Sequence, residues 1–168
     1  YWCPRTSLLA LENTHNRGGG RVLPQAQVVD LAVYARAEGL AVHLDGARLF
    51  NASVATGLGV DVLAAPFDTV SVCLSKGLGA PVGSLLAGDR ERITAAHRFR
   101  KMLGGGMRQA GVLAAAGLHA LAHHVARLAD DHAHAARFAE AAAKSPRLAV
   151  QRPETNIVMV DVPGDPRD

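Results

Sequence analysis

Three short apolar runs alternate with helix-like segments, and that order limits the fold more than any other feature of the chain. The runs are Leu8-Leu9-Ala10-Leu11, Leu40-Ala41-Val42-His43-Leu44-Asp45 and Thr69-Val70-Ser71-Val72-Cys73-Leu74. Each has the length of a buried strand. Between the first two, Pro24 opens a helix, where its missing N–H is harmless. That helix reaches residue 38 with Val28, Leu31, Ala32 and Ala35 on one face, and Gly39 ends it as a C′ glycine. Residues 49–56 form a shorter helix before the third run. Strand, helix, strand, helix, strand at this spacing predicts an α/β fold, with a mainly parallel sheet and helices on both faces. Ligands of such sheets bind at the carboxyl ends of the strands. Polar residues gather there: His15 and Asn16 after the first strand, Asp45 at the second and Lys76 after the third.

Residues 84–87 read as a further strand, ended by Gly88, and Asp89 can cap a helix running to residue 102. Gly104-Gly105-Gly106 breaks that helix. An alanine-rich helical region follows over residues 109–144, with a break near Asp130. Residues 147–150 and 156–162 look like strands of another small unit. The expected division is residues 1–122 in one domain, then a connecting helix and the start of a smaller α/β domain over 123–168.

Of the 168 residues, 49% are hydrophobic and 20% charged, enough for a sizeable core. The net charge is +3 and no basic run is denser than Arg98-Phe99-Arg100-Lys101, so nucleic-acid binding through bulk charge is not expected. No apolar stretch approaches the roughly 18 residues of a membrane span. Cys3 and Cys73 are isolated and form no metal-ligand spacing, which suits a reducing, cytoplasmic compartment. The chain begins at Tyr1 and no turn or helix signal closes either end, so it reads as a piece of a longer protein.

Lys76 follows an apolar strand inside Ser75-Lys76-Gly77-Leu78-Gly79-Ala80-Pro81-Val82-Gly83-Ser84. Two readings stand on the local pattern. The stem can lie along the core with the head in water. Alternatively, burial lowers the pKa and makes the amine a Schiff-base nucleophile. Asp45 also has two readings. It ends an apolar run, where partial burial calls for a partner. It can cap the following helix or pair with Arg48, or it can be the carboxylate that keeps a pyridine nitrogen protonated. A lysine and an aspartate at neighbouring strand ends are what a pyridoxal phosphate site requires.

Four ordered segments carry a family resemblance: Leu11-Glu12-Asn13-Thr14-His15-Asn16-Arg17, His43-Leu44-Asp45-Gly46-Ala47-Arg48-Leu49-Phe50-Asn51-Ala52, Cys73 to Ser84, and Arg100-Lys101-Met102-Leu103-Gly104-Gly105-Gly106-Met107-Arg108-Gln109-Ala110-Gly111. Together they closely resemble the low-specificity L-threonine aldolases, pyridoxal phosphate enzymes of the aspartate-aminotransferase fold type. The resemblance is strong from Pro4 to about Ala122. It implies that Lys76 holds pyridoxal 5′-phosphate covalently, that Asp45 pairs with the ring nitrogen, and that Arg48 reaches the phenolic oxygen or the substrate carboxylate. It places His15 and Asn16 near the cofactor. Lys101 and Arg108 fall in a glycine-rich loop that approaches the phosphate and a neighbouring subunit's active site. His43 is expected to be structural.

The implied reaction is retro-aldol cleavage of L-threonine or L-allo-threonine, a small β-hydroxy amino acid, to glycine and acetaldehyde. A related β-eliminating lyase, an aldolase for another β-hydroxy amino acid and a truncated non-catalytic homologue are the alternatives. A homotetramer is implied as well. In this family a histidine falls near residues 1–3, where this chain has Tyr1-Trp2-Cys3. The segment that supplies phosphate contacts and a carboxylate-binding arginine are also missing from these residues, so they alone are expected to have little or no aldolase activity.

Other motifs carry less. His119 and His123 share a helix spacing but lack a third ligand, and His132 and His134 do not share a helix face, so no metal is expected. Gly18-Gly19-Gly20 and Gly104-Gly105-Gly106 are phosphate cradles or turns on equal terms. Cys73 reads as a core residue.

Overall fold

The structure, a computed structural model, describes residues 4–164. Four strands, β1 (Leu8–Glu12), β2 (Ala41–Asp45), β3 (Thr69–Cys73) and β4 (Ser84–Gly88), form one sheet in the order β1-β2-β3-β4. The first three run parallel and β4 runs antiparallel to β3. The reversal follows from chain length. Residues 74–83 are too few for a helical crossover, which takes about a dozen residues or more.

Helices α1 (Gln25–Ala37), α2 (Leu49–Thr56) and α3 (Val60–Ala64) lie on one face of the sheet. Strand alternation puts Val42 and Leu44 on that face. Ala32 and Ala35 of α1 pack on Val42, with Leu9, Leu40 and Phe67 around them. Leu49, Ala52 and Leu63 pack on Leu44 and Val70. The α1 stripe is Val28, Ala32 and Ala35; Leu31, expected in it, is exposed because the stripe is narrow and Leu31 lies beside it. Pro24 stands at the N-cap of α1, one position earlier than expected, and Gly39 has the left-handed φ of +73° that a C′ glycine supplies.

On the other face, α4 (Arg90–Met102) lies along the β3–β4 side. A groove lined by Ser71, Ser84, Leu86, Ile93, His97 and Arg100 separates them. Asp89 caps α4 through Arg92 N–H, 2.8 Å from its Oδ1. No α4 residue is buried. β1 and β4 each have one neighbour in this sheet. Leu8, expected to be buried, is therefore 50% exposed on an edge strand.

The alanine-rich region divides into α5 (Gly111–His123) and α6 (Leu128–Ala142). The break precedes the expected one. Asp130 and Asp131 belong to the first turn of α6, where carboxylates favour the helix dipole. No helix among the described residues is long and apolar enough to cross a membrane. Ala120 of α5 and Leu128 of α6 pack with Leu74, Leu78 and Ala80, so both helices brace the loop after β3. β5 (Ala149–Val150) and β6 (Val160–Asp161) form a short antiparallel pair.

Candidate active site

Parallel pairing brings the strand ends into line. Glu12 is in register with Asp45, and Asp45 with Ser71. The Asn13 N–H donates to the Asp45 carbonyl at 3.0 Å, tying the chain leaving β1 directly to the end of β2. Asp45 ends β2 while His15 and Lys76 follow β1 and β3, so all three lie at the same edge of the sheet.

The Asp45 side chain is exposed, not half-buried as its apolar run suggested. It does not cap α2, whose N-cap is Arg48. Its Oδ1 instead accepts the Ala47 N–H at 3.0 Å, a two-residue Asx contact that sets the turn. Gly46 is required there by close approach: a Cβ would sit 2.8 Å from the Ser71 carbonyl oxygen. The Gly46 N–H donates to that same oxygen, also at 2.8 Å, which locks the Asp45 turn to β3. His43 is structural in its contacts, with Nδ1 2.8 Å from the Thr69 hydroxyl.

Lys76 is exposed as well. Its loop explains this, because Leu74, Leu78 and Ala80 turn inward while Ser75, Lys76 and Gly77 turn out. The loop is closed by three backbone bonds: Leu74 N–H to Gly83 O at 2.9 Å, Gly79 N–H to Lys76 O at 2.9 Å, and Ala80 N–H to Leu74 O at 3.0 Å. His124, from the α5–α6 connection, puts Nδ1 2.7 Å from the Leu78 carbonyl. Gly77 admits α6, since a Cβ there would come 2.6 Å from Leu128 Cδ2.

Arg48 is half-buried at the start of α2. Neither Lys76 nor Arg48 forms an ion pair among the described residues. An amine and a guanidinium without carboxylate partners, at the same sheet edge as an exposed aspartate, suit an anionic group carrying an aldehyde and a basic ring nitrogen. This donor set fits pyridoxal phosphate.

Lys101 and Arg108 are both exposed. Ile93 lies against Gly88 and Arg100 against the Ser84 end of β4, so α4 returns toward the edge at which β3 ends. The glycine triplet after Lys101 closes α4. The Gly105 N–H donates to Arg100 O at 2.8 Å, and Gly104 has φ +80°. In Gly18-Gly19-Gly20, Gly18 lies against the His15 ring, while Gly19 and Gly20 pack against Met159, Thr155 and Ile157.

Glu12 is a strand-end residue the motif reading passed over. Its Oε1 accepts the Asn16 N–H at 3.0 Å and its Oε2 lies 3.6 Å from His15 Nε2. Its register with Asp45 was the available signal. Cys73 is half-buried at the end of β3 and not a full core residue. Residues 1–3, where the family histidine was expected, lie outside the described residues. No group of three or more potential ligands for a metal ion occurs among those described.

The sheet, with three parallel strands and a reversed fourth, has the fold seen in pyridoxal phosphate enzymes of the aspartate-aminotransferase type. The chain belongs to the beta-eliminating lyase family, whose pattern matches residues 1–164. It is 51% identical over 98% of its length to a probable low-specificity L-threonine aldolase of Arabidopsis thaliana, covering 47% of that protein. It is 52% identical over 94% of its length to a low-specificity L-threonine aldolase of Escherichia coli O157:H7, covering 46% of it. The solved structure of a Leishmania major threonine aldolase superposes with a TM-score of 0.70 at 18% identity, over 89% of this chain and 44% of that one, and supports the fold. The chain spans about half the length of the curated relatives it matches.

Proposed function

We propose that this chain is the lysine- and aspartate-bearing part of an enzyme that cleaves L-threonine and L-allo-threonine to glycine and acetaldehyde. The observation that carries this reading is the placement of Asp45 and Lys76 beyond the ends of adjacent parallel strands β2 and β3, with Arg48 unpaired between them in sequence. Identity near 50% to the two aldolases described above supports the substrate class.

Pyridoxal phosphate, when bound, supplies a conjugated ring that accepts the electrons released as the Cα–Cβ bond breaks. Lys76 would hold it covalently through Nζ. Asp45 would keep a proton on the ring nitrogen, its free Oδ2 being the oxygen that the Ala47 N–H leaves available. The Arg48 guanidinium would bind the substrate carboxylate or the phenolic oxygen, a fork geometry suited to either. Lys101 and Arg108 would reach the phosphate and, in a homotetramer, a neighbouring subunit's site. His15 and Asn16 would line the β1 side. The β-hydroxyl loses its proton as acetaldehyde leaves, and a proton returns to Cα to give glycine. The division at residues 122 and 123 would separate cofactor-binding domain from the start of the smaller one.

The test is made on the full-length protein. Lys76→Ala should abolish the near-ultraviolet and visible absorbance of bound cofactor, together with acetaldehyde release from L-threonine. Retention of both would refute the assignment. The family match also admits β-elimination, which would release ammonia and a 2-oxo acid instead of glycine and an aldehyde.

A further inference from the structure

We propose that Glu154 and Thr155 are positioning residues for the turn that carries His15 and Asn16. This inference rests on the reading above, in which that turn lines the site. The turn is a narrow loop closed by His15 N–H to Arg21 O at 3.0 Å and Gly20 N–H to His15 O at 2.9 Å. Its near side is held by Glu12. Its far side meets the segment before β6.

Residues more than 130 positions away supply that support. Thr155 is 1% exposed and its hydroxyl donates to Gly20 O at 2.8 Å. The Glu154 carboxylate accepts the Val22 N–H at 2.9 Å through Oε2 and pairs with the Arg21 guanidinium through Oε1. The backbone bond from Val22, then the Arg21 guanidinium, hold the Glu154 carboxyl below its usual range, against a desolvation that acts the other way. The two surfaces touch without space between them. A Cβ on Gly20 would lie 2.6 Å from Thr155 Oγ1, and one on Gly19 would lie 2.7 Å from Met159 Cγ. Both glycines have positive φ, +78° at Gly19 and +74° at Gly20.

The contact reaches backbone atoms of Gly20 and Val22, which flank the very residues that close the turn on His15. A shift of residues 154–159 therefore moves the ring of His15 and the amide of Asn16 relative to Asp45. Displacement by about 1 Å at a positioned group can cost on the order of 100-fold in rate. Gly19 and Gly20 are thus a docking surface for the segment before β6, which gives that segment a lever on the site.

The test uses full-length enzyme saturated with pyridoxal 5′-phosphate and assayed on L-threonine. Thr155→Val should lower kcat/KM by about 10- to 100-fold with cofactor absorbance retained. Thr155→Ser, which keeps the hydroxyl, should restore it. In a His15→Ala/Asn16→Ala background, Thr155→Val should cause no further loss, because its effect passes through those residues. Glu154→Gln, at an exposed position, carries the same test should Thr155→Val fail to fold. An additive loss in the double background would overturn the inference, as would unchanged kcat/KM in both Thr155→Val and Glu154→Gln. If His15→Ala/Asn16→Ala leaves activity intact, these two residues leave the site and the inference falls, while the Lys76 test of the reaction stands separately.

Discussion

Replacing His132 by alanine tests how α6 secures the helix that begins at Arg48. Asn51 lies one turn into α2 and is 4% exposed. Its Nδ2 donates to His132 Nε2 at 3.1 Å, which requires an imidazole lone pair on Nε2 and thus a neutral ring. Removing the ring leaves a buried amide N–H without a partner, at a cost of about 1–3 kcal/mol. With a urea slope of about 2 kcal/mol/M, the midpoint of the full-length protein should fall by roughly 0.5–1.5 M. The effect should also depend on pH. Burial lowers the His132 pKa below 6.5, with Asp131 opposing weakly. The unfolded chain therefore binds this proton more readily than the folded one. Stability from the neutral ring is full above pH 6.5 and is lost as pH falls from there toward the lowered folded value. The penalty of His132→Ala should be largest near pH 8 and shrink toward pH 5, as measured by urea unfolding followed by circular dichroism. Replacing both residues by leucine should recover much of the loss. A penalty that stays constant from pH 8 to pH 5, or one below about 0.5 kcal/mol, would refute the reasoning.

Leu128→Ala should destabilise the protein by about 2–5 kcal/mol, since Leu128 is fully buried against Leu74, Leu78 and Ala80; calorimetry would show it as a lowered Tm. Asp68 is held below the usual carboxylate range, first by the Val42 N–H at 2.7 Å and also by Arg36 and Arg92. Its contribution is present above pH 3.8 and lost as pH falls through the lowered value, so Asp68→Asn should be less stable at neutral pH and show a flatter acid limb in pH-dependent unfolding.

Local signals in the sequence were sufficient wherever a residue acts on its near neighbours. The helix over 49–56, the Asp89 cap and the Gly39 stop all depend on contacts within a few positions. The end-of-strand placement of Asp45 and Lys76 was legible for a related reason, since parallel strands must end at one edge. The exposure of Lys76 was not legible. It depends on which loop residues α5 and α6 choose to bury, and that choice is made by Ala120 and Leu128. The short helix α3 carries too few residues for a period to show. The docking of Thr155 on Gly20 joins residues 135 apart, and no local pattern encodes it.

The sheet order has one more consequence. Among the described residues β1 and β4 are its outer strands, and each leaves one row of backbone N–H and C=O groups outside the ladder. Such rows recruit any extended chain that can complete them. Leu8 on one rim and Leu85 and Leu86 on the other make both rims sticky as well as unpaired. Handled by themselves, these residues would tend to zip rim to rim. Joined by a strand of the right register, the same rims become the seams along which a wider sheet is sewn.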